Sequence, residues 1–361
     1  MSSFQCHHAK SQRTTGCSCA ARQNMRSVAS TPPLSTFRRA GEPGRTPSSC
    51  KLPAHSVLLP IAMPPRLLLI ALLPLGYLLI PLLSAGLLAY PLHLLLHDAM
   101  SLRAVVSRGT LALIVLSLPW LIRRLRLTAH ELGLAAPTAL KLKNLMIGLT
   151  AGAGIMGLLV LMEAAWGLRV GIWPPGEFAA AWLRASAKPL LVGVLVGCVE
   201  ELLFRGVLLG ALLRYRRPFY AVTVSAFYYA ALHFYHSELK LPPDSLHWGS
   251  GLLVVRDGFA HLLRWSHLDS FAALFFAGIL LGCLRLLLRC GLLLCIGVHI
   301  AWVYTLRTTL ALTDLAPTTP WRFLVGDYDH IIGWLAAVWL ALLCLPLLLI
   351  VRRRSMSRGL P

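Results

Sequence analysis

Charge is scarce in this sequence, and negative charge scarcer still. Of its 361 residues only 13% are charged, and Asp plus Glu number 14 against 34 Lys plus Arg. Soluble domains carry about 25% charged residues, so a chain that is 57% hydrophobic with a mean hydropathy of +0.69 is not an ordinary water-soluble globule. Ordered cysteine spacing is also missing. Four of the nine cysteines, Cys6, Cys17, Cys19 and Cys50, fall in a leader rich in Ser, Thr, Pro and Arg, and most of the others fall inside apolar runs, where a thiol behaves as a small hydrophobe. Neither a disulfide framework nor a Cys-ligated metal site is expected from that distribution. A zinc-protease HExxH helix is absent as well, because His130 and Glu131 are followed by Leu134 where the second histidine would stand. No inverted repeat of the kind that marks secondary transporters is visible.

Long apolar runs are what the sequence does have. They recur from Leu67 to Val351, each near the roughly 20 residues that an α-helix needs to cross about 30 Å of hydrocarbon. Spans are predicted at about 67–90, 104–122, 145–166, 189–212, 218–236, 270–288, 291–311 and 331–351. The expected fold class is all-α, a polytopic membrane protein of about eight transmembrane helices. Pro74, Pro81 and Pro91 make the first span the least regular, although membrane helices tolerate proline. Residues 1–62 are polar, Pro- and Arg-containing, and without apolar periodicity. They read either as a disordered or targeting extension or as a mis-annotated stretch ahead of a true start at Met63.

The excess of positive charge invites a nucleic-acid reading. Its placement argues against one: the basic residues lie between apolar runs or at the ends, where topology and anionic lipid headgroups account for them. With eight spans, Arg123, Arg124, Arg126, Lys141 and Lys143, then Arg214, Arg216 and Arg217, then Arg285 and Arg289, and the tail Arg352, Arg353, Arg354 and Arg358 all fall on the side of the amino terminus. The opposite connections mix signs. By the positive-inside rule both termini are expected to be cytoplasmic, in the inner membrane if the cell is bacterial. The long connection from about Ser237 to Asp269 carries Trp248, Phe259, His261 and Trp265; it is either an interfacial amphipathic segment or a plain loop with aromatic anchors.

Some residues do not belong in hydrocarbon. The fourth span holds Glu200, Glu201 and Arg205 near its middle, where each ionised group costs roughly 2.5–3.5 kcal/mol on insertion scales. Glu201 and Arg205 are four apart and can pair on one face, whereas Glu200 is turned about 100° from Glu201 and about 140° from Arg205. Such a trio suits a catalytic base with its structural support, and equally a polar staple between helices. His233 and His299 each stand in a further apolar run, and a glutamate with a histidine can deprotonate a water. Glu163, three residues before Trp166, reads as a terminal side chain reaching for the interface, or else as lining a cavity or pairing with a nearby base. Cys198 has no Cys/His motif to support a thiol protease.

The motifs around these residues resemble the CPBP group of intramembrane proteases, which includes the CAAX prenyl proteases. Glu200, Glu201 and Arg205 match EExxxR. Tyr229 and His233 match an aromatic four residues before a histidine, where phenylalanine is usual. Phe275, Gly278 and Gly282 match FxxGxxxG, followed by His299 on the next helix. The resemblance spans about 188–305. It implies an intramembrane endopeptidase whose Glu200 and His233 activate the attacking water, supported by Glu201 and Arg205, while His299 helps stabilise the oxyanion. An asparagine four residues after that histidine normally assists, and this chain has Val303 there; Trp302 and Tyr304 are the nearby donors. Losing one oxyanion donor can cost about 2.7–4 kcal/mol.

The expected division is an extension at 1–62, transmembrane helices at 63–187, a CPBP-like protease core at 188–311, and a last helix with a basic tail at 312–361. The fourth, fifth and seventh spans are expected to enclose a polar cavity. The expected partners are the bilayer and a membrane-associated protein or peptide substrate, with no nucleic acid. No cofactor is expected: carboxylate and imidazole could also hold zinc, but the resemblance implies a metal-free glutamate-type site. A catalytically weak binding, immunity or scaffold relative is the alternative that Val303 favours.

Overall fold

Backbone in hydrocarbon must satisfy its own N–H and C=O groups, so apolar runs of this length have the α-helix as their way across. The structure, a computed structural model, describes residues 65–357 except 97, 98, 216, 263–266, 289 and 290. The extension expected at 1–62 and the alternative start at Met63 lie outside the described residues.

Ten α-helices carry the described chain: α1 (Pro65–Leu95), α2 (Leu102–Arg124), α3 (Thr138–Ala165), α4 (Phe178–Glu201), α5 (Leu209–Leu213), α6 (Pro218–His233), α7 (Ser250–Leu262), α8 (Leu268–Leu287), α9 (Gly291–Leu312) and α10 (Trp334–Ser357). Six of them, α1, α2, α3, α8, α9 and α10, are long and apolar enough to cross a membrane. The chain is an all-α, multi-pass integral membrane protein. The other two expected spans are also helical, with departures that bear on the site. The fourth runs from Phe178 to Leu213 without a break, but Leu202–Leu208 between α4 and α5 is wound as a π-helix. The fifth, α6, is only 16 residues long and ends at His233 rather than three residues later.

Local chemistry explains most boundaries. Ser101 caps α2 by accepting from the Ala104 N–H, and Pro218, which has no N–H to leave unpaired, opens α6. The three prolines of α1 sit inside one continuous helix, so the first span is more regular than the sequence suggested. Leu87, Leu116, Leu161, Leu195 and Leu342 are exposed on the outer surface, as a lipid-facing belt requires.

The main core joins α3, α6, α8, α9 and α10. A smaller one joins α1 and α2 to α7, so the long connection holds a helix packed on the first span. Two short strands, β1 (Arg169–Gly171) and β2 (Thr313–Leu315), pair antiparallel and bring the ends of α3 and α9 together. At the same end Glu163 is wholly buried and paired with Arg169 at 2.5 Å. It does not reach for the interface: the Arg169 guanidinium, which also bonds Thr313 and the His330 carbonyl, holds the carboxylate inside the protein. At the opposite end Arg214 binds Glu131 and the carbonyls of Leu125 and Arg126, and Arg285 reaches the Glu131 carbonyl.

Candidate active site

Small residues decide which helices can meet. On α3, a Cβ at Gly152 would stand 2.6 Å from the Val298 carbonyl oxygen of α9, and on α4 a Cβ at Gly193 would stand 2.9 Å from that of Ile300. A Cβ at Gly278 of α8 would lie 2.7 Å from Cα of Ala226 on α6. These are the small-xxx-small contacts by which membrane helices approach closely. They seat α9 between α3 and α4, and α6 against α8, so that Glu200, His233 and His299 converge from three helices.

Glu200 Oε2 lies 3.8 Å from His233 Nε2 and 3.9 Å from His299 Nε2. Both separations are too long for direct hydrogen bonds. Glu200 keeps 29% of its side chain accessible and His233 22%, whereas Glu201 and Arg205 keep none. Glu201 Oε1 accepts from Arg205 Nη1 at 2.9 Å and bonds His299 Nδ1 at 2.8 Å. Arg205 also stacks over the Tyr229 ring at 4.1 Å from its centroid and reaches the Gly278 carbonyl at 3.5 Å. The buried charges therefore have partners, as their desolvation demands.

The histidines are oriented by carbonyl and carboxylate oxygens. His233 Nδ1 sits 2.6 Å from the Tyr229 carbonyl. A carbonyl only accepts, so Nδ1 carries the proton and Nε2 is the nitrogen that faces Glu200. The His233 carbonyl in turn accepts from the Tyr328 hydroxyl at 2.7 Å. Tyr328 lies in the 325–333 connection and gave no signal in the sequence, because nothing in its spacing relates it to α6.

A cavity of about 660 Å³ contains this group, with Glu200, Tyr229, His233, His299, Trp302 and Val303 in its wall. Its wall is wider than the expected fourth, fifth and seventh spans. Ile155 and Leu159 of α3, Ala273 and Ala277 of α8, and Trp339 of α10 complete it, because the glycine contacts draw α3 and α8 inward. It extends to His236, Glu238, Asp327 and Asp329, at the end of the bundle where Glu163 and Arg169 meet. Residues 182–305, about a third of the chain, match the family described as Type II CAAX prenyl endopeptidase Rce1-like. That match supports a CPBP-type intramembrane protease for this segment. No curated protein and no solved structure matches the chain.

All five site residues that the resemblance picked out meet within this CPBP segment, Glu200, His233 and His299 at the cavity wall and Glu201 with Arg205 behind them. Val303 lines the cavity one turn beyond His299 and offers no donor. Of its two neighbours, Tyr304 is engaged elsewhere, its hydroxyl 2.9 Å from Ser186 Oγ. Trp302 lines the cavity, and its Nε1–H is buried with no hydrogen-bond partner among the described residues.

Proposed function

We propose that the chain hydrolyses a peptide bond of a membrane-presented substrate, with a core at about 188–311 and water activated by Glu200 and His233. The observation that carries the reading is the gap between Glu200 Oε2 and His233 Nε2: at 3.8 Å the two do not bond each other, yet one water can reach both. The water gives a proton to this pair as its oxygen attacks the carbonyl carbon. The tetrahedral oxyanion is held by His299 and by the Trp302 Nε1–H, which stands in for the missing asparagine. Collapse breaks the C–N bond, and the proton passes from the pair to the leaving amine. Glu201 and Arg205 are positioning residues, one fixing His299 and the other neutralising Glu201. The reaction as written uses no metal.

The test is cleavage of a peptide library by purified protein. General acid–base groups contribute about 10²–10⁴-fold, so Glu200→Gln and His233→Ala should each lose activity on that scale while remaining folded by circular dichroism. Cleavage that survives both substitutions overturns the site. If wild type cuts nothing, the binding or scaffold reading that Val303 favours takes over. Chelator in the same assay should leave the rate unchanged.

A further inference from the structure

We propose that His236, Glu238 and His261 form a binding site for a first-row divalent cation of the zinc class at the mouth of the cavity. The group is separate from the proteolytic residues and lies three to five residues beyond His233 and on α7. Its ligand atoms all lie within 4.8 Å of one another. Tetrahedral zinc, with nitrogen and oxygen ligands at about 2.0–2.2 Å, places neighbouring ligand atoms about 3.3 Å apart. Two separations bracket that value: His261 Nε2 to Glu238 Oε2 is 3.0 Å, and His236 Nε2 to Glu238 Oε1 is 3.6 Å.

The frame around the three residues is rigid where a metal site needs it. His261 is buried, and its Nδ1 donates to the Asp257 carbonyl at 2.9 Å, which leaves Nε2, in hydrogen bond with the Glu238 carboxylate at 3.0 Å, as the nitrogen whose proton an ion would displace. Metal-bound histidines are oriented by this kind of second hydrogen bond. The Asp257 carboxylate meanwhile accepts from Ser237 Oγ at 2.7 Å, from the Glu238 N–H at 2.9 Å and from the Leu239 N–H at 3.1 Å. One residue of α7 thus fixes both the His261 ring and the backbone that carries Glu238. His236 is the adaptable member: its side chain is 41% exposed, and its Nδ1 is buried with no hydrogen-bond partner among the described residues. Two imidazoles and one carboxylate suit zinc-class cations and leave further coordination positions for water or a substrate group. An ion there ties the chain leaving His233 to α7.

The full chain, purified in detergent and stripped with chelator, is titrated with Co²⁺ and then Zn²⁺ as competitor. Wild type should bind one equivalent of Co²⁺ with visible bands free of thiolate charge transfer, which separates it from any cysteine-bound ion. That equivalent should be lost, or its affinity weakened at least tenfold, in both His236→Ala and Glu238→Gln, whose exposed side chains can be changed without unfolding the protein. Glu200→Gln should keep it. Absence of such an equivalent in wild type, or full retention in both variants, overturns the proposal and leaves a hydrogen-bonded His–Glu–His cluster. Cleavage is not read, so this outcome is independent of the proteolytic mechanism.

Discussion

In the proposed reaction, Trp302 and Val303 are what set this site apart from the usual pattern. An indole N–H that is buried without a partner costs about 1–3 kcal/mol, and the Trp302 Nε1–H has no protein partner among the described residues in the wall of the cavity. A group that pairs only when charge develops on a bound carbonyl repays such a cost in the transition state rather than the ground state. Trp302→Phe keeps the shape and removes the donor. Its kcat should fall about 10²–10³-fold, the usual loss for one oxyanion donor, with KM nearly unchanged. Adding Val303→Asn to that variant should restore part of the rate, since it supplies a donor one turn after His299. A KM effect with unaltered kcat would instead make Trp302 a packing residue.

Helix contacts decide whether these side chains meet at all. Gly152 of α3 abuts the backbone of α9 at Val298, next to His299, and Gly193 of α4 abuts it at Ile300. A leucine at Gly152 has backbone rather than a flexible side chain in its way, so α3 and α9 must separate, at a cost typically of 1–3 kcal/mol. Gly152→Leu should remain helical, lose thermal stability, and lose cleavage more steeply than Gly154→Leu, where a Cβ meets nothing within 4 Å. The sequence showed the spans and the five charged or imidazole residues, because intramembrane polarity and helical period are local properties. It marked Gly278 and Gly282 through a motif but not the stripes on α3 and α4, since a glycine's neighbour across a helix pair is not written in its own segment. The Glu131–Arg214 clamp was hidden for the same reason. Arg214, the Thr128 N–H and the Thr128 hydroxyl hold the Glu131 carboxyl down to about 2 from an ordinary 4.5. A depressed carboxylate stabilises the fold above its unfolded value, and that contribution is lost as pH falls from about 4.5 toward about 2. Acid melting should therefore begin later in wild type than in Glu131→Gln, and the two curves should converge near pH 2.

Seen across its whole thickness, the molecule has two unlike ends. Arg214, Arg285 and Arg354 bond carbonyls at one end, near Arg124, Arg126, Lys141 and Lys143, with Glu131 as counter-charge. The cavity extends toward the other end, where Glu238, Asp327 and Asp329 line it. Retention of basic loops in the cytoplasm would then put the cavity mouth on the non-cytoplasmic side, so that substrate would reach Glu200 from that side or laterally from the bilayer. Thiol labelling of intact cells decides the orientation. Asp327 is 77% exposed at the cavity end and Arg353 is exposed on the basic tail. A membrane-impermeant maleimide should label Asp327→Cys without permeabilisation and Arg353→Cys only after it, each measured against wild type to subtract the native cysteines. The reverse pattern would turn the cavity to the cytoplasm and restrict the substrate to proteins that reach the membrane from within, because the cavity that holds Glu200 and His233 extends to Asp327.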